Sequence, residues 1–503
     1  MTVRRLPWPE LLILLVALVF RIVALDLKPP HFDEGVNGWF ADRMAHTGFY
    51  DYDPTNYHGP LHFYAIFAAQ KLFGREIWAL RLPVVLVSVA AVWLMLRFGR
   101  FVGRDIARWA AVAMAVSPAG VFYGRYSIHE SWLLFFLLLT AWGILELWRR
   151  GSRAGLFALI GGATGMVLTK ETYFIHLGCF ALAIPCLWFW QSLVPSRPAL
   201  AVAPREWKKR DLLLAAGLGI FAIVFFYSGG FLNWAGLTGL YETYAAWFKT
   251  GVSEAGHAKT EYDLGPVNYY WLALMARYEW PALIGLLGCF RLLWPASAQL
   301  RYLAIYGGGA LLAYTIIPYK TPWLLLPLLW PFLFVFGAVV EELKRFAIVP
   351  FLAAACIGAT LMLSANLNFR AYDDPRQPYV YVQTSRQIHR LIDPLFERAK
   401  KDPTTYQLRG ELFLDSYYPL PWILAEFVNV SYSKTPGDAG TPDFIVAEQS
   451  KVERVERFLR EPYYRREFRL RDAQEDCVAW FRVSTFKEQL AGENTVTPQP
   501  GER

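Results

Sequence analysis

Long apolar runs separated by short polar connectors fill the first three quarters of the chain. They fall near 10–27, 79–98, 108–124, 131–148, 155–169, 172–190, 212–229, 269–292, 301–317, 323–340 and 346–364. A bilayer core about 30 Å thick needs roughly 20 apolar residues per helix, so the pattern predicts about eleven transmembrane helices within 1–365. The first run follows basic residues and carries no small-residue cleavage pattern, in "MTVRRLPWPELLILLVALVFRIVALDL", which predicts a retained helix. Between the first two spans, the loop 28–78 keeps helical periodicity. In "VNGWFADRMAHTG", Val36, Trp39, Phe40 and Met44 form one stripe with Asp42, Arg43 and His46 off it, as in a helix lying in the headgroup plane.

After Leu363 the pattern changes to that of a soluble fold. "YVYVQT", "QLRGELFLD", "VNVSYS", "DFIVAEQ", "EFRLR" and "CVAWFRVS" read as strands, and "SRQIHRLIDPLFERAKK" and "KVERVERFLRE" as helices. Residues 366–486 are therefore expected to form a small α/β domain and 487–503 a disordered tail.

Composition agrees with a membrane protein: of 503 residues, 55% are hydrophobic and 18% charged, far on the apolar side of soluble proteins. The net charge of +8 argues for nucleic acid only where basic residues gather in one groove, and here they sit between apolar runs. The five cysteines show neither a disulfide framework nor zinc spacing. Lys and Arg concentrate in alternate connectors (Arg97 to Arg108, Arg149 to Arg153, Arg205 to Arg210, Lys344 and Arg345), which places the N-terminus in the cytoplasm and 28–78, 230–268 and everything beyond 365 outside.

With that orientation the chemically unusual residues all reach the external face. They are Asp33, Glu34 and His58 in the first loop, Arg125, His129 and Glu130 in "YGRYSIHES", Lys170 and Glu171 in "TKET", and Lys320 in "PYKTPW". Charge at membrane depth costs about 2.5–3.5 kcal/mol per residue even on lenient scales, so a one-sided cluster points to a site. Asp33 can serve as a general base or simply cap the helix that follows it. The cations can hold an anion or snorkel toward headgroups. His58, His129 and Glu130 have ligand chemistry for a divalent cation without the spacing of a known metal motif, so no metal or other cofactor is assigned. The loop 230–268, with Trp234 and Tyr241, suits either a lid whose rings stack on a sugar or a plain aromatic belt.

Six short stretches in order, "HFDEGVNGWF", "DYDPTNYHGPLHFY", "YGRYSIHE", "TKE", "YKTPWL" and "YYPLPWILAEF", resemble the polytopic GT-C glycosyltransferases. The resemblance is nearest to the flippase-activity-associated branch of archaeal N-glycosylation, and extends to the protein O-mannosyltransferases and the aminoarabinose transferases of lipid A. One departure stands in "YGRYSIHE", where Ile128, His129 and Glu130 replace an Arg and an Asp of the family pattern. The resemblance implies transfer of one sugar from a polyprenyl- or dolichyl-phosphate donor to a protein, lipid or glycan acceptor outside the membrane, with inversion. It implies Asp33 as catalytic base beside Glu34. Arg125, Lys170 and Lys320 then suit the donor phosphate, and His58, His129, Glu130, Glu171, Trp234 and Tyr241 the acceptor or sugar. Rival readings are a lipid-linked-sugar transporter, which should show inverted repeats that the hydropathy lacks, and a noncatalytic assembly subunit.

Overall fold

The computed structural model describes residues 7–56, 58–193, 202–252, 269–292, 296–437, 440–472 and 474–497. Every apolar run carries helix. In chain order the helices are α1 Trp8–Ile22, α2 Phe32–Thr47, α3 Leu61–Phe73, α4 Ile77–Arg97, α5 Gly99–Val102, α6 Arg104–Val116, α7 Pro118–Phe122, α8 Glu130–Arg150, α9 Arg153–Val167, α10 Tyr173–Ser192, α11 Lys209–Tyr227, α12 Ala235–Val252, α13 Tyr270–Tyr278, α14 Trp280–Leu292, α15 Ala298–Ile316, α16 Leu326–Leu343 and α17 Ile348–Phe369.

Six stretches among the described residues are long and apolar enough to cross a membrane: Ile77–Val102, Glu130–Arg150, Tyr173–Ser192, Lys209–Tyr227, Pro322–Leu343 and Ile348–Phe369. The pair α6 and α7, bent by 59°, makes a seventh if taken as one span. The chain is an integral membrane protein, but not a set of eleven straight spans, because two expected runs are broken. The run 108–124 breaks at Ser117–Pro118 and the run 269–292 at Glu279. The two breaks satisfy each other. Glu279 accepts hydrogen bonds from the Ala119 N–H (2.7 Å), the Ser117 hydroxyl (2.8 Å) and the Tyr379 hydroxyl (3.2 Å), so the N–H groups opened by Pro118 do not go unpaired.

The chain divides into two compact units. One comprises Met1–Leu25, Arg43–Tyr372 and Arg376–Tyr379, and the other Asp26–Asp42, Asp373–Pro375 and Val380–Arg503. The division expected near 365 thus omits a segment, since the first half of α2 packs as part of the C-terminal unit. Within the membrane unit, small residues bring helix backbones together. A Cβ on Gly143 would lie 2.3 Å from the Leu159 nitrogen, and one on Gly162 2.4 Å from the Thr140 hydroxyl, which locks α8 to α9.

The C-terminal unit is built on a six-stranded sheet of order β2-β1-β3-β5-β4-β6. The strands are β1 Arg409–Phe413, β2 Asn429–Ser433, β3 Phe444–Glu448, β4 Tyr463–Phe468, β5 Cys477–Arg482 and β6 Thr495–Val496. β1 runs parallel to β2 and β3, and the remaining pairs are antiparallel, with Leu412 opposite Val446 and Val446 opposite Ala479. Helices α18 His389–Lys401, α19 Leu420–Ile423, α20 Val452–Phe458 and α21 Val483–Leu490 accompany it. One sheet face buries Leu412, Phe444, Val446 and Ala479 with Leu391 and Leu395 of α18, and the other buries Ile445, Val478 and Trp480 with Val452 and Val455 of α20.

Three expectations fail here. "YVYVQT" is not a strand, because its carbonyls bond to side chains: Tyr379 accepts from the Tyr123 hydroxyl and Tyr381 pairs with the His31 ring. Only Thr384 forms a bridge, to Arg471. "EFRLR" contributes to a strand only through Glu467 and Phe468. The tail is ordered as far as it is described. Residues 487–490 complete α21, β6 pairs with Tyr463 and Tyr464, and Arg466 Nε donates to Glu493 at 2.7 Å.

Candidate active site

In the membrane unit, two backbone strands of loop bring distant motifs together. The Gly59 N–H donates to Thr169 O (3.0 Å) and the Leu61 N–H to Leu168 O (3.0 Å). Gly59 is required for this approach, since a Cβ there would lie 2.3 Å from the Leu168 carbonyl. The pairing sets "YHGP" beside "TKET", so that His58 Nδ1 lies 3.0 Å from Glu171 Oε2. His129 packs against both His58 and His62, with ring centroids 4.5 and 4.6 Å apart. His62 Nε2 is 3.0 Å from Ser127 O, which ties α3 to the "YGRYSIHE" turn. Lys170 forms a buried ion pair with Glu130.

The charges in this cluster compensate one another. Burial works against the Lys170 ammonium, yet Glu130 and Glu171 outweigh it and hold the lysine above its ordinary value. Burial likewise works against ionised Glu171, while His58 and Lys170 hold it below the usual carboxylate range. His129 is driven well below the ordinary histidine value by burial, then by His58, His62 and Lys170, so it is neutral. Among the described residues no group of three or more His, Cys, Asp or Glu side chains is arranged to hold a metal ion, and His58, His129 and Glu130 are accordingly read here as hydrogen-bonding and ion-pairing groups.

Two other cations expected at an anion do a different job. Arg125 donates to the carbonyls of Phe20 (3.0 Å), Arg21 (3.3 Å), Val23 (2.7 Å) and Ala24 (2.6 Å), and so closes the C-terminal end of α1. Lys320 donates to the carbonyls of Tyr314 (2.8 Å), Thr315 (3.3 Å) and Ile317 at the end of α15. Burial pulls its ammonium down to about 8. Helix C-termini leave four carbonyls without partners and carry partial negative charge, which these cations answer.

Helix α12 lies over part of the unit with Gly236, Gly239, Thr243 and Trp247 inward. A Cβ on Gly239 would lie 2.8 Å from the Tyr52 ring, and the Tyr52 hydroxyl bonds to Thr243. Trp234 and Tyr241 point the other way, 60% and 82% exposed, so neither stacks against the cluster as expected of sugar-binding rings. The rest of that loop, 253–268 with His257, lies outside the described residues.

Asp33 and Glu34 belong to the C-terminal unit. His31 caps α2: its Nδ1 accepts from the Asp33 N–H at 3.1 Å, and Glu34 accepts from the His31 N–H at 2.9 Å. This is a capping box with histidine in the usual serine place. Because Nδ1 accepts, the ring proton sits on Nε2, which donates to Tyr381 O at 3.0 Å. The Asp33 carboxylate, 3.7 Å from Nδ1, is left out of the capping, with its side chain 36% exposed. The helix is docked by close contact, since a Cβ on Gly35 would lie 2.5 Å from Pro419 and one on Gly38 2.5 Å from the Trp422 ring. The buried face of α2 therefore runs through Glu34, Gly35, Gly38 and Ala41 as well as Phe40 and Met44, while Val36 and Trp39 are only half-buried.

Sequence reasoning missed His31 and His62. His31 could have been found from its three-residue spacing to Glu34, which is that of a capping box. His62 lies in a motif read only as turn and helix.

Comparison with known proteins follows the same lines. The fold, that of an integral membrane protein carrying a C-terminal sheet domain, is similar to that of solved structures. Over 93% of the chain and 97% of the other, it matches ArnT from Cupriavidus metallidurans in the apo state, with TM-score 0.59 and 15% identity. The same ArnT bound to undecaprenyl phosphate matches over the same shares with TM-score 0.57. Residues 57–203 match the family described as dolichyl-phosphate-mannose-protein mannosyltransferase. A stretch of 115 residues is 34% identical to a Bacillus subtilis (strain 168) protein named "Putative mannosyltransferase YycA", covering 22% of this chain and 16% of that one.

Proposed function

We propose that this protein is a membrane glycosyltransferase that moves one sugar from a polyprenyl- or dolichyl-phosphate carrier to an acceptor outside the membrane, with inversion. The observation that carries the reading is that the stretch matching the mannosyltransferase family, 57–203, contains every member of the His58–His62–His129–Glu130–Lys170–Glu171 cluster. The likeness to an ArnT solved with undecaprenyl phosphate supports a lipid-phosphate donor, and the basic cytoplasmic connectors support chemistry on the opposite face.

In this reading Lys170, the one candidate cation that does not close a helix end, meets the donor phosphate, with His58 beside it. As the anomeric C–O bond breaks, its electron pair passes to the phosphate oxygen, where fixed positive charge in a dry site stabilises it. Asp33 takes the proton of the acceptor hydroxyl as its oxygen bonds to the anomeric carbon. A carboxylate positioned as general base contributes about 10²–10⁴-fold, and the capping box leaves Asp33 free for it.

The test is transfer from a panel of radiolabelled polyprenyl-phosphate sugars by the purified chain and by Asp33→Asn. Transfer by the wild type and its loss in the variant are expected. Transfer that survives Asp33→Asn would remove the base from the proposal, and no transfer from any donor would favour a noncatalytic subunit.

A further inference from the structure

The C-terminal unit carries a cleft of about 450 Å³ between the start of α18 and strand β4, and the proposed reaction does not use it. Its wall is charged throughout, yet the charges cancel: the guanidiniums of Arg390, Arg465 and Arg466 stand among the carboxylates of Asp393, Glu467 and Glu493. Arg466 forks onto Glu493, its Nε and Nη2 donating to the two carboxylate oxygens at 2.7 and 2.5 Å. Arg465 Nη1 lies 2.8 Å from Glu467 Oε1, and the His389 ring is 2.9 Å from Asp393 Oδ1. Main-chain acceptors fix the guanidiniums further. Arg390 Nη1 donates to Glu467 O (2.7 Å) and Arg466 Nη1 to Arg390 O (3.1 Å).

Glu493 reaches this cleft because the chain stays ordered past α21. The Glu493 N–H donates to Leu490 O (3.1 Å), Asn494 O accepts from the Arg465 N–H (3.0 Å), and Thr495 and Val496 pair as β6 with Tyr464 and Tyr463. Ordering a segment costs conformational entropy, and this one buries only part of Val496 against the sheet. What its order achieves is a carboxylate set on Arg466 at the edge of the cleft.

Such a wall selects a class of ligand. A simple ion would meet like charge beside opposite charge and gain little net attraction. A hydroxyl both donates and accepts, so it can give its proton to a carboxylate while taking an N–H from the guanidinium next to it. Neighbouring hydroxyls on one ring repeat that match along the ion pairs. Because the pairs already hold these long side chains in place, less ordering remains to be done on binding. We propose that the cleft between α18 and β4 binds a neutral saccharide, the glycan part of the acceptor. Its place in acceptor binding rests on the reading of the protein as a glycosyltransferase, whereas saccharide binding as such does not.

The test reads binding with no donor and no transfer, so that its failure and that of the proposed reaction can be told apart. The purified full chain, in lipid nanodiscs free of glycoside detergent, is followed by saturation-transfer NMR with mannotriose, chitotriose and cellotriose, and then with inorganic phosphate as competitor. At least one trisaccharide should bind with a Kd on the order of 1 mM, and equimolar phosphate should not displace it. Arg466→Met and Asp393→Ala should each weaken that binding by about tenfold or more. The Asp393 side chain is more than half exposed, so Asp393→Ala keeps the fold even where Arg466→Met does not. Failure of all three trisaccharides to bind, binding that a folded cleft variant leaves unmoved, or displacement by phosphate would overturn the proposal and leave a surface ion-pair network only.

Discussion

The two ends of the proposed reaction are built on opposite electrostatic plans. In the membrane unit, the Lys170 ammonium is closed against the Glu130 carboxylate in a buried ion pair, and the His58 ring is hydrogen-bonded to Glu171. At the start of α2 the capping box engages His31 and Glu34, and the Asp33 carboxylate stays partly exposed and outside it. The first plan stores the Lys170 cation in a low-dielectric region until an anion competes for it. The second holds a carboxylate ready without committing it. A phosphate ligand and a proton acceptor need these different arrangements.

The contrast can be broken most forcibly at Asp33. Asp33→Asn should lower transfer by about 10²–10⁴-fold with a stability loss of at most about 1 kcal/mol from the helix N-terminus, because the cap hydrogen bonds do not depend on its carboxylate. A variant that loses activity and melts early would show that Asp33 is structural after all.

Next in size is the buried pair. Lys170→Met strands the Glu130 carboxylate and should cost about 3–5 kcal/mol in stability, whereas Lys170→Met with Glu130→Gln should recover most of it in thermal melts. Equal destabilisation by the single and double variants would show that the pair is not compensating as described.

A smaller effect is expected where α2 docks. Gly35→Ala places a Cβ 2.5 Å from Pro419 and should destabilise by about 1–3 kcal/mol, read as a lower melting temperature. Glu34→Ala, which removes the acceptor of the His31 N–H, should cost about 1 kcal/mol, as loss of one capping bond does, and Glu34→Gln should cost less because its amide oxygen still accepts.

The pH dependence of the membrane cluster sharpens the comparison last. Glu171 is held below its ordinary 4.5 by His58 and Lys170 against burial. Its stabilising contribution is therefore complete above about pH 4.5 and is lost as pH falls through the lower folded value. Melts of wild type at decreasing pH should lose this increment, and Glu171→Gln should lack it throughout.

Much of the molecule was legible beforehand. Apolar runs near 20 residues and a switch to period-two patterning suffice to separate a membrane region from a sheet domain, because burial in lipid or in a sheet core imposes those periods locally. "TKET", "YHGP" and "YGRYSIHE" were visible as polar residues where charge is expensive. The roles of Arg125 and Lys320 were not, since a cation at an outer helix end looks the same in sequence whether it meets a phosphate or the last carbonyls of another helix.

The sequence by itself determined which segments are helical or extended, where the chain becomes soluble, and that chemistry-bearing residues recur between the apolar runs. Only the tertiary structure decided which of those residues meet. The pairing of Gly59 with Thr169, the closure of α1 by Arg125, and the placing of residues 26–42 within the C-terminal unit all join positions about a hundred or more apart, which local propensity does not encode. The physical reason is that a hydrogen bond or ion pair in a dry interior is set by what else lies within reach, and reach is a property of the folded chain.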